Sequence, residues 1–257
     1  MTAEFLSAAP LIPLPHGFFT RRGGVSRGNF ATLNCSLAGH DAAEAVATNR
    51  ARAMAALGLP AGALCGAFQV HGVAVATVTE AIPPEARPEA DALVTNRPGL
   101  ALGIVTADCA PVLFADAAAG VVGAAHAGWR GAVAGVLEET LKAMEALGAS
   151  RAGIAAVVGP CIRQDSYEVG PDLRDAVLAR EAGDARFFRE GKREGRWQFD
   201  LPGYCAVRLV KAGAGKVGVL PADTCADAGR FFSHRRRTLA GEGPIGHQLS
   251  AIALPPA

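Results

Sequence analysis

The apolar positions of this chain fall into short, dense runs rather than one repeating period. Residues 92–95, 101–106, 111–115 and 120–125 are almost wholly Ala, Val, Leu, Ile and Phe. That is the signature of strands covered on both faces. Residues 154–158, closed by Gly159-Pro160, and residues 216–219 and 248–253 extend it. A short aromatic strand begins at His16 and runs into an Arg-Gly-Gly loop. Residues 67–79, AFQVHGVAVATVT, predict strands on either side of Gly72. Residues 82–90 form a proline-rich connection.

Helical patterning lies between these runs. Residues 41–57, DAAEAVATNRARAMAAL, are rich in strong helix formers. Asp41 with Glu44 fits a capping box, and Gly58 fits a stop. A long helix is expected over 130–147, ending at Gly148. Others are expected over 171–182, with Pro171 in the first turn, and over 202–212. Residues 186–196 are charged and glycine-containing, so an exposed loop or hairpin is expected. Strands and helices alternate without the rhythm of a doubly wound sheet or an eightfold barrel. With no internal repeat and no flexible linker, the pattern predicts one mixed α/β domain over residues 1–257.

Composition narrows the function classes. The chain is 50% hydrophobic and 19% charged, with Lys+Arg 25 against Asp+Glu 24. No global charge draws it to nucleic acid or to an anionic membrane. No stretch is long and apolar enough to span a bilayer. The N-terminal residues carry no basic region before an apolar run, and prolines at 10, 13 and 15 interrupt them. A cytoplasmic protein is therefore the expectation. The six cysteines include no CxxC pair, so free, mostly buried thiols are expected.

Three segments combine glycine or proline, a metal-capable side chain and the end of an apolar run. They are Gln69-Val70-His71-Gly72, Thr106-Ala107-Asp108-Cys109-Ala110-Pro111 and His126-Ala127-Gly128-Trp129-Arg130-Gly131. Two imidazoles and a thiolate suit zinc with an open fourth position, and the same donors suit copper. Asp108 could orient a neighbouring ligand or cap the following turn. Cys109 could instead act as a nucleophile with His71 or His126 as base. The GxGxxG match at residues 213–218 follows a helix, so it fails the context of a dinucleotide site. The basic run His234-Arg235-Arg236-Arg237 reads as a solvated face, with a phosphate contact as the alternative.

These segments closely resemble the YfiH-like, or laccase-domain, family. The resemblance also covers HGFFTRRGGVS at 16–26, Asn34, Asn49-Arg50, ADALVT at 90–95, TADCAPVLF at 106–114, Gly159-Pro160-Cys161-Ile162, Tyr167-Glu168-Val169-Gly170, Phe199-Asp200-Leu201 and FFSHRR at 231–236. It implies an α-β-β-α sandwich, two facing β-layers with helices outside. It implies zinc held by His71, Cys109 and His126. It also implies phosphorolysis of adenosine, inosine and S-methyl-5′-thioadenosine, with hydrolytic deamination of adenosine. Purine nucleosides and phosphate are then the expected partners.

Phosphorolysis needs an anion clamp, for which Arg130 beside His126 is the first candidate, followed by Arg21, Arg22, Arg235 and Arg236. Trp129 could stack on a base. Deamination needs a proton shuttle, and with no HxE motif the candidates are Asp108, Glu168 or a histidine. A copper-dependent polyphenol oxidase is the alternative, but six histidines are too few for a conventional multicopper set, and Met54 and Met144 lie far in sequence from any ligand segment. The chain departs from the family pattern at His234, where a tyrosine is usual, and at His247, where an arginine is usual.

Overall fold

A computed structural model describes residues 2–256. The strands are β1 (Phe5–Leu6), β2 (His16–Phe19), β3 (Leu64–Cys65), β4 (Val75–Thr77), β5 (Ala92–Thr95), β6 (Ala101–Thr106), β7 (Ala110–Asp116) and β8 (Val121–Ala127). They continue with β9 (Ala155–Val158), β10 (Glu168–Val169), β11 (Phe188–Glu190), β12 (Trp197–Phe199), β13 (Lys216–Val219) and β14 (Gln248–Ala253). The α-helices are α1 (Ala43–Ala56), α2 (Trp129–Ala134), α3 (Val136–Ala146), α4 (Pro171–Arg180), α5 (Leu201–Lys211) and α6 (His234–Ala240).

Two large mixed sheets face one another. One has the order β1-β2-β14-β6-β3 and the other β13-β9-β7-β8-β5-β4. Alternation along the central strands explains the layering. Leu93, Leu113, Ala115, Val122 and Ala124 point inward and meet Phe18, Leu102, Ile104 and Ile252 of the opposite sheet. Their sequence neighbours Ala92, Val94, Val112, Phe114 and Ala125 point outward under α3 and α5, against Leu137, Leu141, Met144 and Leu209. On the far side of the first sheet, Phe19, Leu249 and Ala251 pack under Ala53 and Met54 of α1. Both faces of the central strands are apolar because both are covered. The result is the expected α-β-β-α sandwich. A small antiparallel sheet, β10-β12-β11, adjoins it, with residues 188–199 forming the expected hairpin. Among the described residues, no helix is long and apolar enough to cross a membrane.

Four local expectations change. Asp41 does not cap α1, because its carboxylate accepts from Ser26 Oγ (2.6 Å) and Asn34 Nδ2 (3.0 Å) instead. The stretch before Gly72 is a loop and only β4 follows it, because the loop is tied to an aspartate rather than to a neighbouring strand. The helix expected over 130–147 is two, broken where Gly135 takes φ 114°, a left-handed value suited to glycine. The basic run at 234–237 is the first turn of α6, and Arg236 is spent on the carbonyls of Thr224, Cys225 and Phe231 rather than left in solvent.

Candidate metal centre and its pocket

The central β-hairpin builds the site. Cys109 immediately precedes β7 and His126 is the penultimate residue of β8, at the open end of the same antiparallel pair, where Pro111 is opposite His126. His126 thus lies within a strand, not in the loop beyond it. β5 flanks β8 on the other side, and Asp91 directly precedes β5 at the same edge. His71 comes from the loop before β4. The ligand-capable atoms of His71, Cys109 and His126 lie within 4.8 Å of one another, so the group could hold a metal ion. His71 Nε2 is 3.8 Å from Cys109 Sγ.

Asp91 holds this arrangement together, and the chemistry-based reading of the sequence did not single it out. Its fully buried carboxylate accepts from the backbone N–H of Val70 (3.2 Å), His71 (2.9 Å) and Gly72 (2.6 Å). It also accepts from His126 Nδ1 at 2.8 Å. One side chain therefore shapes the His71 loop and fixes the His126 tautomer, leaving His126 Nε2 for the cluster. The signal was present: an aspartate abutting a wholly apolar strand has to be paired if it is buried. Gln69 adds a second tether, donating to Val105 O and accepting from Val105 N, both at 2.9 Å.

The loops are tight. His71 and Asp108 are the two non-glycine residues with positive φ among those described, at 63° and 93°. Such backbone is uncommon away from glycine and clusters at functional sites. Gly128 leaves no room for a side chain: a Cβ there would lie 2.9 Å from His71 Cδ2 and 3.0 Å from Cys109 Sγ.

The electrostatics favour a charged pair. Burial raises the Cys109 thiol, but the charge of His126 and hydrogen bonds with both histidines outweigh it and bring the pKa down to about 6. Burial lowers His126, but the Cys109 charge and the Asp91 hydrogen bond outweigh that and push it up to about 9. The metal-free site thus favours a thiolate–imidazolium pair, and a soft or borderline cation that displaces the His126 proton would meet one thiolate and two imidazoles.

The cluster opens into a pocket of ≈ 560 Å³. Trp129, Phe68 and Tyr167 supply aromatic wall, and Arg87, Arg130, Arg235, His234 and His247 supply polar wall. Phe68 is 57% exposed at the rim. Asp108 also faces the pocket, but both its oxygens are occupied. Oδ1 accepts from Thr224 Oγ1 (2.6 Å), and Oδ2 accepts from Ser233 Oγ (2.9 Å) and Arg235 N (2.6 Å). Among the other candidates, Arg21 bonds the carbonyls of Ala31 and Ala228, and Arg22 bonds Gly229 O and Glu4, away from the pocket wall. Glu168 is held by Arg193 Nε (2.5 Å) and by the backbone N–H of Lys192 (2.8 Å), also away from the wall. Met54 and Met144 are fully buried in two different cores.

A family model described as multi-copper polyphenol oxidoreductase laccase matches residues 15–255. A purine nucleoside phosphorylase of Deinococcus radiodurans is 44% identical over 250 residues, covering 97% of this chain and 93% of the relative. A purine nucleoside phosphorylase of Mycobacterium tuberculosis is 41% identical over 235 residues, covering 91% and 89%. Among solved structures, a Neisseria meningitidis protein of family DUF152 superposes with TM-score 0.85 at 35% identity, covering 99% of this chain and 98% of that one. YlmD from Geobacillus stearothermophilus superposes with TM-score 0.87 at 28% identity, covering 98% and 99%.

Proposed function

We propose that this chain, which belongs to the multi-copper polyphenol oxidoreductase laccase family, is a purine nucleoside phosphorylase with a zinc-containing site. Its substrates in this reading are adenosine, inosine and S-methyl-5′-thioadenosine with phosphate, and adenosine deamination is a second activity. The observation that carries the reading is a three-donor cluster open to an aromatic-walled, cation-lined pocket in a chain 44% identical to a phosphorylase.

The donor set fits zinc: two imidazoles and one thiol already poised to ionise, with space on the pocket side for a fourth partner. When bound, zinc supplies Lewis acidity toward a substrate oxygen or nitrogen. The chain's own residues do the rest. Phe68 offers flat apolar surface for a purine, and Arg130, stacked on the Trp129 ring, lines the same space for an anion. Asp91 keeps His126 oriented through its Nδ1. Phosphate attack at C1′ breaks the glycosidic bond, and the departing purine leaves as an anion that needs a proton or a cation; burial holds the His234 imidazole below its usual range, so an arginine of the pocket wall is the better candidate partner. For deamination, neither Asp108 nor Glu168 has an uncommitted oxygen directed at the cluster, so a histidine is the remaining proton shuttle among the candidates.

Two other readings use the same atoms. Copper suits the donors, but His71, Cys109 and His126 are the one such group among the described residues. A trinuclear oxidase centre needs more ligands than they supply. The lowered Cys109 thiol also fits nucleophilic hydrolysis in a metal-free protein. The test is adenosine incubated with and without phosphate, with adenine, inosine and hypoxanthine resolved, alongside Cys109→Ala and a metal assay. Phosphate-dependent adenine release, lost together with zinc in the variant, is expected. A zinc-loaded, folded protein that releases no purine product refutes the proposal.

A further inference from the structure

We propose that Arg235, Arg130 and the hydroxyl of Tyr167 form an oxyanion subsite beside the His71–Cys109–His126 cluster, and that its ligand is inorganic phosphate. The choice of phosphate rests on the phosphorylase reading; the existence of an anion site rests on the geometry alone.

The charge balance of the pocket comes first. Arg87, Arg130 and Arg235 are the cations that face it, burial holds the His234 and His247 imidazoles below their usual range, and Asp108, the carboxylate on the wall, is fully engaged by Thr224, Ser233 and Arg235 N. Neither Arg130 nor Arg235 has a carboxylate within 4.0 Å among the described residues. Other arginines of the chain are committed: Arg236 to three carbonyls, Arg180 and Arg208 to Glu138.

The orientation of the two free guanidiniums comes next. That of Arg130 lies over Trp129 at 4.4 Å, and that of Arg235 over Tyr167 at 5.4 Å. A stacked guanidinium is held by its face while its N–H edge stays free to grip an oxyanion bidentately. The Tyr167 ring is the platform for one of them. Tyr167 lines the pocket, and Cys109, Arg235, Asp108 and Arg130 are ionisable groups that act on its phenol. The three donors come from separate parts of the chain: α2, the turn before β10, and α6.

Finally, the arm carrying Arg235 is clamped. Asp108 Oδ2 takes both Ser233 Oγ and Arg235 N, and Ser233 Oγ in turn accepts from Arg236 N at 3.1 Å to cap α6. The residue next to Cys109 therefore sets where Arg235 sits. This gives Asp108 a role as a positioning residue in place of proton transfer. Preorganised donors of this kind cost little to reorganise when the anion arrives.

The test is calorimetric titration of inorganic phosphate into zinc-loaded wild type, R235Q, R235K, Y167F and D108N, without nucleoside, with zinc content and melting measured on each. Removing one charge-assisted donor should weaken phosphate about tenfold or more in R235Q and less in Y167F, with R235K partly restored and zinc content unchanged. Asparagine tolerates the left-handed backbone at position 108, so D108N should keep the loop yet weaken phosphate as R235Q does. A protein carrying both R235Q and D108N should lose no more than either single variant, a coupling that a merely structural role would not give. Equal phosphate affinity in wild type and R235Q, or no phosphate binding by wild type at millimolar concentration, overturns the subsite. Adenosine cleavage run in parallel separates the two ideas. Phosphate binding lost in R235Q without any phosphate-dependent cleavage by wild type refutes the phosphorylase reading and leaves the subsite standing.

Discussion

Replacing Asp91 by Asn should damage zinc binding and stability together, because one carboxylate serves both the loop and the ligand. In the native chain its two oxygens accept four hydrogen bonds, three from the backbone of residues 70–72 and one from His126. An amide has a single accepting oxygen. If that oxygen stays with the loop, the NH₂ group confronts His126 Nδ1–H and the tautomer must change. If it turns to His126, the N–H groups of Val70 and Gly72 lose their acceptor. Hydrogen bonds to a charged group contribute about 1.5–3 kcal/mol each, so losing one or two with the accompanying desolvation should cost about 2–4 kcal/mol. Loss of a carboxylate that orients a ligating histidine typically weakens metal about 10–100-fold. Urea denaturation of the metal-free protein reads the first quantity, and competition against a zinc chelator reads the second. A D91N protein within about 0.5 kcal/mol of wild type that keeps its zinc affinity would show that Asp91 is a bystander, since such a change is typical of an indifferent surface site.

Three further outcomes follow from the same geometry. Gly128→Ala puts a methyl group against Cys109 Sγ and His71 Cδ2, so zinc affinity should fall while the melting temperature of the metal-free protein moves far less; an unchanged affinity would mean that the ligand loops yield freely. In the metal-free protein, alkylation of Cys109 should rise through a midpoint near pH 6, the value to which His126 draws its thiol, and His126→Gln should move that midpoint upward. His247 is pushed down to about 4, chiefly by burial, so between about pH 4 and its ordinary value of 6.5 the unfolded chain binds a proton that the folded chain refuses. Stability should therefore fall as pH drops through that window, by up to about 3 kcal/mol, and His247→Gln should flatten the fall in pH-dependent denaturation.

The doubly covered strands were legible because they obey a simple rule, whereas the two-layer sandwich came from the family resemblance. Runs such as Val112 to Ala115 are apolar at every position, which makes sense only if both faces are covered, and here one face meets the opposite sheet and the other meets helices. What failed was local. The long helix pattern over 130–147 conceals its break because Gly135 sits among good helix formers, and only its positive φ reveals the corner. Residues 67–71 look like a strand by propensity, yet the N–H groups of 70–72 converge on Asp91, and a buried carboxylate outweighs a weak β preference.

The site divides along the same line. Its candidate donors stood out because few residue types offer such atoms, and the family resemblance grouped His71, Cys109 and His126, whose ligand-capable atoms lie within 4.8 Å of one another. The residues that hold those donors did not, since their roles depend on contacts across the fold. Asp91 reaches His126 across 35 positions, and Asp108 reaches Arg235 across 127. Asp108 shows why chemistry-first reading goes astray. A carboxylate next to a metal-capable cysteine suggests proton transfer, but three donors at 2.6–2.9 Å leave it as an anchor for α6. The short basic run left a solvated face and a phosphate contact open, and its members divide: Arg236 goes to three carbonyls and Arg235 lies over an aromatic ring in the pocket. A carboxylate that looked reactive holds the backbone of Arg235 in place, and the proposed anion subsite depends on that contact.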